Sequence, residues 1–143
     1  MNAIHRVYKN GIAIERINLI RATINESQEI KDNLLDDIDC KKIIVDLSAC
    51  DYIDSTFFGA MVFAYRVLKH QDCSVVLVVS QSFISKSFIF QEISSVFRVY
   101  NSLAEAVEAL NDKVDFNGEE NEKNVGMNKP ASFVQLNLQL KSE

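Results

Sequence analysis

Two short apolar runs, separated by a helical stretch, constrain the fold of this 143-residue chain more than any other feature. Ile43–Val45 lies between lysines and a polar loop, and Val75–Val79 lies between serines. Continuous apolar runs of this length predict central strands of a sheet. Because a helical pattern connects them, the two strands are expected to be parallel and joined by a right-handed crossover. The sequence therefore predicts an α/β fold.

A β-hairpin is predicted at the start of the chain. The β-rich segments 3–9 and 12–20 are separated by Asn10-Gly11, which is the strongest short sequence signal for a hairpin turn. We therefore expect an antiparallel pair of strands before the first helix.

Two helices have clear start signals. Thr23 and Glu26 have the spacing of a capping box, in which each side chain satisfies a backbone N–H, and the apolar pattern that follows predicts helix one to about Asp37. Asp54-Ser55-Thr56 offers three good N-cap residues, and the apolar positions behind it predict helix two up to Lys69.

The second half of the folded part continues the alternation of strands and helices. A less regular helical pattern covers 82–95, a short strand is predicted at 97–100, and Ser102 with Glu105 forms a second capping box before a fourth helix. The predicted order is β-β-α-β-α-β-α-β-α.

The end of the chain differs in composition from the rest. Residues 1–111 are predicted to form the folded domain, and residues 112–143 an acidic flexible linker and tail. Residues 119–124 contain no apolar side chain, so this part offers too little apolar area to offset the entropy of ordering. Apolar and polar residues then alternate at 133–140, which is typical of a short half-buried strand; an apolar terminal segment that adheres to other surfaces is the alternative.

Charge and hydropathy exclude two classes of partner. The formal net charge is −5, and the basic residues form no cluster that would follow a phosphate backbone, so we expect no nucleic-acid binding. The longest strongly apolar run, Val75–Val79, is far shorter than the roughly 20 residues that span a bilayer, so we expect no membrane insertion.

The chemically reactive side chains do not form a catalytic or metal-binding pattern. The three cysteines, Cys40, Cys50 and Cys73, lack CxxC or His-coupled spacing and follow no signal peptide, which predicts a reduced, cytoplasmic protein. Free cysteines are usually buried as small apolar residues, so we expect burial of all three, with Cys50, in the loop before Asp54, as the candidate for partial exposure. Nucleotide-binding glycine motifs and HExxH are also missing from the sequence, so no enzyme activity, cofactor or metal is expected.

The cluster Asp54-Ser55-Thr56 is the candidate functional site. Its simplest role is to cap helix two. A hydroxyl at a helix start also lies where free backbone N–H groups favour an anion, so a phosphate on Ser55 or Thr56 would be stabilised there. The cluster is therefore a candidate phosphorylation switch.

The residues around this cluster match a known pattern. A strand ends in Asp46-Leu47-Ser48, a short loop follows, and Asp54-Ser55-Thr56 opens a helix that contains Gly59-Ala60. This arrangement resembles the STAS domains of bacterial anti-sigma-factor antagonists, over roughly residues 3 to 110. The resemblance implies a four- to five-stranded mixed sheet with helices mainly on one face. Later segments that match are 75–80, 97–100 and 102–106.

The resemblance also implies roles for individual residues. Ser55 would be the phosphoacceptor, Thr56 the second choice, and Asp54 the cap. An anti-sigma-factor or switch-type serine kinase would bind the unmodified form and phosphorylate it, and a PP2C-type phosphatase would remove the phosphate. The chain departs from the family pattern at Phe57, where glycine is common. With Phe58, this residue is a candidate anchor for a partner protein.

Two other functions are compatible with the same resemblance. One is a scaffold or sensor-complex STAS subunit in which Ser55 is never modified. The other is a small-ligand-binding STAS domain, for which the sequence contains no supporting glycine-rich loop. Phosphate stoichiometry at Ser55 separates the switch from the scaffold.

Overall fold

The computed structural model describes residues 3–112 and contains a mixed sheet with helical connections. The sheet and the helices between its strands lie within one compact unit, Met1–Val107. The strands are β1 (Ile4–Lys9), β2 (Ile12–Ile17), β3 (Arg21–Ala22), β4 (Lys42–Leu47), β5 (Tyr52–Ile53), β6 (Ser74–Val79) and β7 (Arg98–Tyr100). The helices are α1 (Ile24–Asp36), α2 (Ser55–Lys69), α3 (Gln81–Lys86), α4 (Phe90–Val96) and α5 (Leu103–Asp112).

The predicted hairpin is present. Strands β1 and β2 pair antiparallel, and the pair nearest the turn is Lys9 with Ile12. The two turn residues, Asn10 and Gly11, have φ angles of 54° and 80°. Asparagine and glycine tolerate this left-handed backbone, which a two-residue hairpin turn requires. Local turn chemistry therefore sets the register of the first two strands.

Five strands form the main sheet, in the order β1-β2-β4-β6-β7. Only the β1–β2 pair is antiparallel; β4 pairs parallel with both β2 and β6, and β7 pairs parallel with β6. The two apolar runs identified in the sequence, in β4 and β6, are neighbours inside the sheet. This confirms the predicted α/β class and the mixed sheet of four to five strands, which here has five.

Helices α1 to α4 pack on one face of this sheet. Their buried side chains form one core cluster with every second residue of the strands, such as Ile43, Val45 and Leu47 of β4. Alternate residues of a strand lie on the same face of the sheet. The prediction that the helices lie mainly on one face is therefore correct for these four. The helical contribution to the cluster consists of Ile30, Leu34, Phe57, Met61, Ala64, Leu68, Phe83 and Ile93.

The predicted third helix is in fact two short helices. Within the segment 82–95 the backbone at Ser87 is extended, with φ −80° and ψ 131°, and the Ser87 hydroxyl accepts a hydrogen bond from the Ile89 N–H at 3.2 Å. A serine side chain that bonds to a nearby backbone group competes with helix formation. This break explains the irregular apolar pattern of the segment, and it leaves Phe88 99% exposed.

The predicted linker and tail at 112–143, including the strand expected at 133–140, lie outside the described residues apart from Asp112, the last residue of α5. Within residues 3–112, no helix is both long and apolar enough to cross a membrane.

Candidate functional site

A second, two-stranded sheet brings two helix starts together. Strand β3 pairs parallel with β5, and the Asp54 N–H donates to the Ala22 carbonyl oxygen at 3.1 Å. The residue after β3 is Thr23, the N-cap of α1, and the residue after β5 is Asp54, the N-cap of α2. The N-termini of α1 and α2 therefore begin side by side.

The start of α1 has the predicted capping box. The Thr23 hydroxyl oxygen accepts from the Asn25 N–H at 3.2 Å, and the Glu26 carboxylate accepts from the Thr23 N–H at 2.8 Å. These bonds satisfy backbone donors that a helix start leaves free. The sequence prediction for this helix is confirmed.

Asp54 caps both helices at once. Its Oδ1 atom accepts from the Phe57 N–H at 2.8 Å, which is the expected cap of α2. Its Oδ2 atom accepts from the Ile24 N–H at 2.9 Å, in the first turn of α1. A negative carboxylate is favoured at the positive ends of both helices. Asp54 thus has the predicted capping role and a second partner that the sequence did not indicate.

Ser55 and Thr56 are both exposed in the first turn of α2. Within residues 3–112, the side-chain hydrogen bonds at this cap run to Asp54, so neither hydroxyl is needed to hold the helix start. Thr56 also lines a groove of about 270 Å³ between α1 and α2, together with Lys31 and Phe63. Ser55 lies outside that lining and is exposed to solvent.

The expectation that Phe57 is an exposed partner anchor is wrong. Its side chain is 0% exposed and belongs to the core, because it lies one helical turn before Met61 on the buried stripe of α2. Phe58 is half-buried and packs edge to face on Phe97, with ring centroids 6.4 Å apart. Phe57 therefore holds α2 against the core and offers no surface to a partner.

The exposed apolar groups at this site are ones that the sequence analysis did not select. Ile20, Ile24 and Tyr52 are 65%, 62% and 40% exposed. They are neighbours of the cap: the Tyr52 N–H donates to the Ile20 carbonyl at 3.2 Å, and Ile24 donates to Asp54. We call these three residues the cap patch. The exposure of Ile24 could have been predicted from helical periodicity, because this residue is not on the same face of α1 as the buried Ile30 and Leu34.

The cysteines and histidines add no chemistry to the site. Cys50 is fully buried, as expected of a free cysteine, and the alternative of partial exposure is wrong. Burial raises the pKa of its thiol to about 12, with Asp46 and Asp51 adding to the rise. His5 is exposed on β1, and His70 is the C-cap of α2. Among residues 3–112, no group of three or more His, Cys, Asp or Glu side chains is arranged to hold a metal ion.

Comparison with solved structures finds the same fold in anti-sigma factor antagonists. A protein of this description from Mycobacterium paratuberculosis is 14% identical, with a TM-score of 0.64, over 76% of this chain and 93% of that one. A STAS domain protein from Planctomyces limnophilus is 18% identical, with a TM-score of 0.64, over 77% and 98%. The antagonist SpoIIAA, in its unphosphorylated form, is 14% identical, with a TM-score of 0.58, over 80% and 100%.

Two sequence comparisons bear on the family of this chain. A search of curated protein sequences found no match. The family model of the STAS domain matches residues 12–106, which contain strands β2 to β7, both helix caps and the whole of α2. With most of the folded part matched by one family model, the chain belongs to the STAS domain family.

Proposed function

We propose that this protein is a phosphorylation-controlled interaction switch, an anti-sigma-factor antagonist that binds an anti-sigma-factor or switch-type serine kinase while Ser55 is unmodified. The observation that carries the proposal is an exposed Ser55 at the start of α2, beside a cap that Asp54 already supplies. The similar solved structures are described as anti-sigma factor antagonists, and the description of SpoIIAA names an unphosphorylated form. These descriptions support phosphate as the modifying group.

The geometry at Ser55 accommodates a phosphate without unfolding the domain. The cap bonds to the Phe57 and Ile24 N–H groups use Asp54, so a phosphoryl group on the Ser55 hydroxyl breaks neither of them. A phosphate carries roughly −1.5 to −2 charge at pH 7. The positive ends of α1 and α2 offset part of its repulsion from the Asp54 carboxylate. Modification therefore changes the surface and leaves the fold intact.

The cap patch supplies the apolar part of the proposed interface. Ile20, Ile24 and Tyr52 stay exposed, and the Arg21 guanidinium lies 4.1 Å from the Tyr52 ring centroid. Exposed aliphatic and aromatic side chains next to an arginine are typical of interface centres. We assign the anchoring role expected of Phe57 to these three residues.

Phosphorylation would switch this interface off through desolvation. A partner that covers the cap patch also covers the neighbouring Ser55. A neutral hydroxyl loses little on burial if it is hydrogen-bonded, whereas a phosphate loses far more hydration. A penalty of about 2.8 kcal/mol lowers the affinity a hundredfold. The bound kinase would therefore release the protein after phosphorylating it, and a PP2C-type phosphatase would restore binding.

Pull-downs with variant baits test this function. The full-length protein and its Ser55→Ala, Ser55→Glu and Ser82→Glu variants serve as baits in extracts of the native cells. Ser82 is a matched control, since it is an exposed serine in the first turn of α3. We expect wild type, Ser55→Ala and Ser82→Glu to capture one ATPase of the histidine-kinase-like class, and Ser55→Glu to lose it. Equal capture by Ser55→Glu would contradict the switch and leave the scaffold function.

A further inference from the structure

Two acidic side chains are buried together where α1 meets the β1–β2 hairpin. Glu15 of β2 is 0% exposed, and Asp37, directly after α1, is 1% exposed. Both lie against the same Nε atom of Arg6, at 2.7 Å for Glu15 and 3.3 Å for Asp37. We call Glu15 and Asp37 the carboxyl pair. Buried charges are normally compensated one for one, and here two carboxyl groups share one guanidinium.

Glu15 has the partners that an ionised carboxylate needs. Its Oε2 atom accepts from Arg6, and its Oε1 atom accepts from the Asn33 side-chain amide at 3.2 Å. The Arg6 guanidinium is held in place by a further bond from its Nη2 to the Asn33 carbonyl oxygen at 3.0 Å. The single positive charge is therefore committed mainly to Glu15.

Asp37 lacks such partners. Its Oδ1 atom accepts from the Tyr8 hydroxyl at 3.2 Å, but its Oδ2 atom is buried without a hydrogen-bond partner among residues 3–112. The residue also lies at the negative end of α1, whose last turn contains no basic residue. An ionised Asp37 would thus hold a negative charge on an unsatisfied buried oxygen, whereas a protonated Oδ2 becomes a donor.

Burial and the neighbouring Glu15 favour the neutral form as well. Burial raises the pKa of Asp37 to about 8, and the Glu15 carboxylate adds to the rise, whereas the Arg6 guanidinium and the Tyr8 hydroxyl act in the opposite direction and offset only part of it. Asp36 also takes part of the Arg6 charge, at 3.1 Å, but is 71% exposed to solvent. The groups that act on Asp37 are Arg6 and Tyr8 from β1, Glu15 from β2 and Cys40 from the following loop. Asn33 and Asp36 of α1 contact Arg6, and Asp39 lies near Cys40.

We propose that Asp37 keeps its proton at neutral pH and uses it to donate a hydrogen bond to the Glu15 carboxylate, and that release of this proton to the solvent in alkaline solution weakens the contact between α1 and the β1–β2 hairpin. After release, two adjacent carboxylates face one guanidinium in the interior. Their repulsion is relieved when the end of α1 moves away from the hairpin. The proposal does not depend on phosphorylation of Ser55.

The sign of the pH dependence follows from linkage. In the unfolded chain the Asp37 carboxyl has its ordinary pKa of 3.8, and in the folded protein its pKa is about 8. The folded state therefore binds a proton that the unfolded state releases, so its contribution to stability is complete below about pH 4 and is lost as the pH rises to about 8. Between pH 5 and 7 the unfolding constant should rise by nearly tenfold per pH unit from this group alone.

Urea denaturation of the full chain at several pH values tests the proposal, with Asp37→Asn as the main variant. Asparagine has the shape of a protonated aspartate and can donate to Glu15, but it cannot release a proton. We expect the unfolding constant of wild type, divided by that of Asp37→Asn, to rise about a hundredfold between pH 5 and 7. Asp32→Asn, which alters an exposed carboxylate of α1 that accepts from the Gln28 side chain, should follow wild type. A ratio for Asp37→Asn that stays constant with pH would overturn the proposal.

A spectroscopic measurement on wild type covers the case in which Asp37→Asn does not fold. The ¹³C resonance of the Asp37 carboxyl carbon should titrate near pH 8, and amide hydrogen exchange at Leu34 and Leu35, corrected for its intrinsic pH dependence, should accelerate over the same range. Titration near pH 4 would overturn the proton assignment. If the Asp37 carboxyl titrates near pH 8 but amide hydrogen exchange at Leu34 and Leu35 does not change, the proposed link between proton release and the position of α1 is wrong.

Discussion

The Oδ2 atom of Asp54 accepts a hydrogen bond from the Ile24 N–H at 2.9 Å, so that one carboxylate joins the starts of two helices. The other oxygen of the same carboxylate caps α2 through the Phe57 N–H. Neither helix start can shift without breaking a bond to Asp54. This connection fixes the cap patch relative to Ser55, which is the arrangement that the proposed interface requires.

Replacing Asp54 by alanine should destabilise the protein by about 1–2 kcal/mol, because an N-cap substitution of this kind costs about 0.5–2 kcal/mol and a second helix loses its bond as well. Urea denaturation measures the change. In ¹⁵N-labelled protein the amide resonances of both Ile24 and Phe57 should shift.

Ser55→Ala is the matched control for the cap, since the hydroxyl contributes no bond to it. This variant should remain within about 0.5 kcal/mol of wild type. If Ser55→Ala cost as much as Asp54→Ala, or if the Ile24 amide did not respond to Asp54→Ala, the double cap would be wrong.

Phe57→Ala should cost about 3–5 kcal/mol, which is the usual cost of truncating a fully buried phenylalanine. Phe88→Ala, at a 99% exposed position, should change the stability by less than about 0.5 kcal/mol. Thermal or urea unfolding compares the two. A loss of stability below about 0.5 kcal/mol for Phe57→Ala would contradict the buried position of Phe57 and make it a candidate surface anchor again.

The Cys50 thiol should not react in the folded protein at pH 8. With a pKa raised to about 12 by burial, roughly one thiol in ten thousand is ionised at that pH. Brief treatment with iodoacetamide followed by peptide mass mapping should show alkylation of the half-buried Cys40 ahead of Cys50. Rapid labelling of Cys50 without unfolding would contradict the buried position.

Truncation after Lys113 should lower the melting temperature by less than about 5 °C, which corresponds to roughly 1 kcal/mol for a domain of this size. The reason is the low apolar content of residues 112–129. Differential scanning calorimetry compares the two lengths. A larger loss would mean that the apolar segment at 133–140 contributes to the folded domain.

Local signals predicted the elements that local chemistry controls. Asn10-Gly11 specified a two-residue turn, and Thr23 with Glu26 specified a helix start, because the interacting groups are close in the sequence. Strands β3 and β5 were missed for the opposite reason. Each has two residues, which is too few to give a periodic pattern, and each pairs with a strand that is distant in the sequence. The bond from the Ile24 N–H to Asp54 joins residues 30 positions apart and depends on this pairing, so the sequence did not indicate it either.

Two errors could have been avoided with the same rules. Phe57 shares a helical face with Met61, Ala64 and Leu68, so its periodicity already indicated a core position rather than an anchor. A two-residue turn at Asn10-Gly11 also places residue 6 opposite residue 15, which would have indicated the Arg6–Glu15 pair. The approach of Asp37 to that pair follows from packing of α1 and has no signal in the local sequence.

The most direct test of the proposed switch is the phosphate stoichiometry at Ser55 in protein isolated from its native cells. Phosphopeptide mass spectrometry, with fragment ions that separate Ser55 from Thr56, should find phosphate on Ser55 and a fraction that changes with growth condition. Phosphatase treatment should restore the unmodified peptide. If neither Ser55 nor Thr56 carries phosphate under any condition, the switch is contradicted.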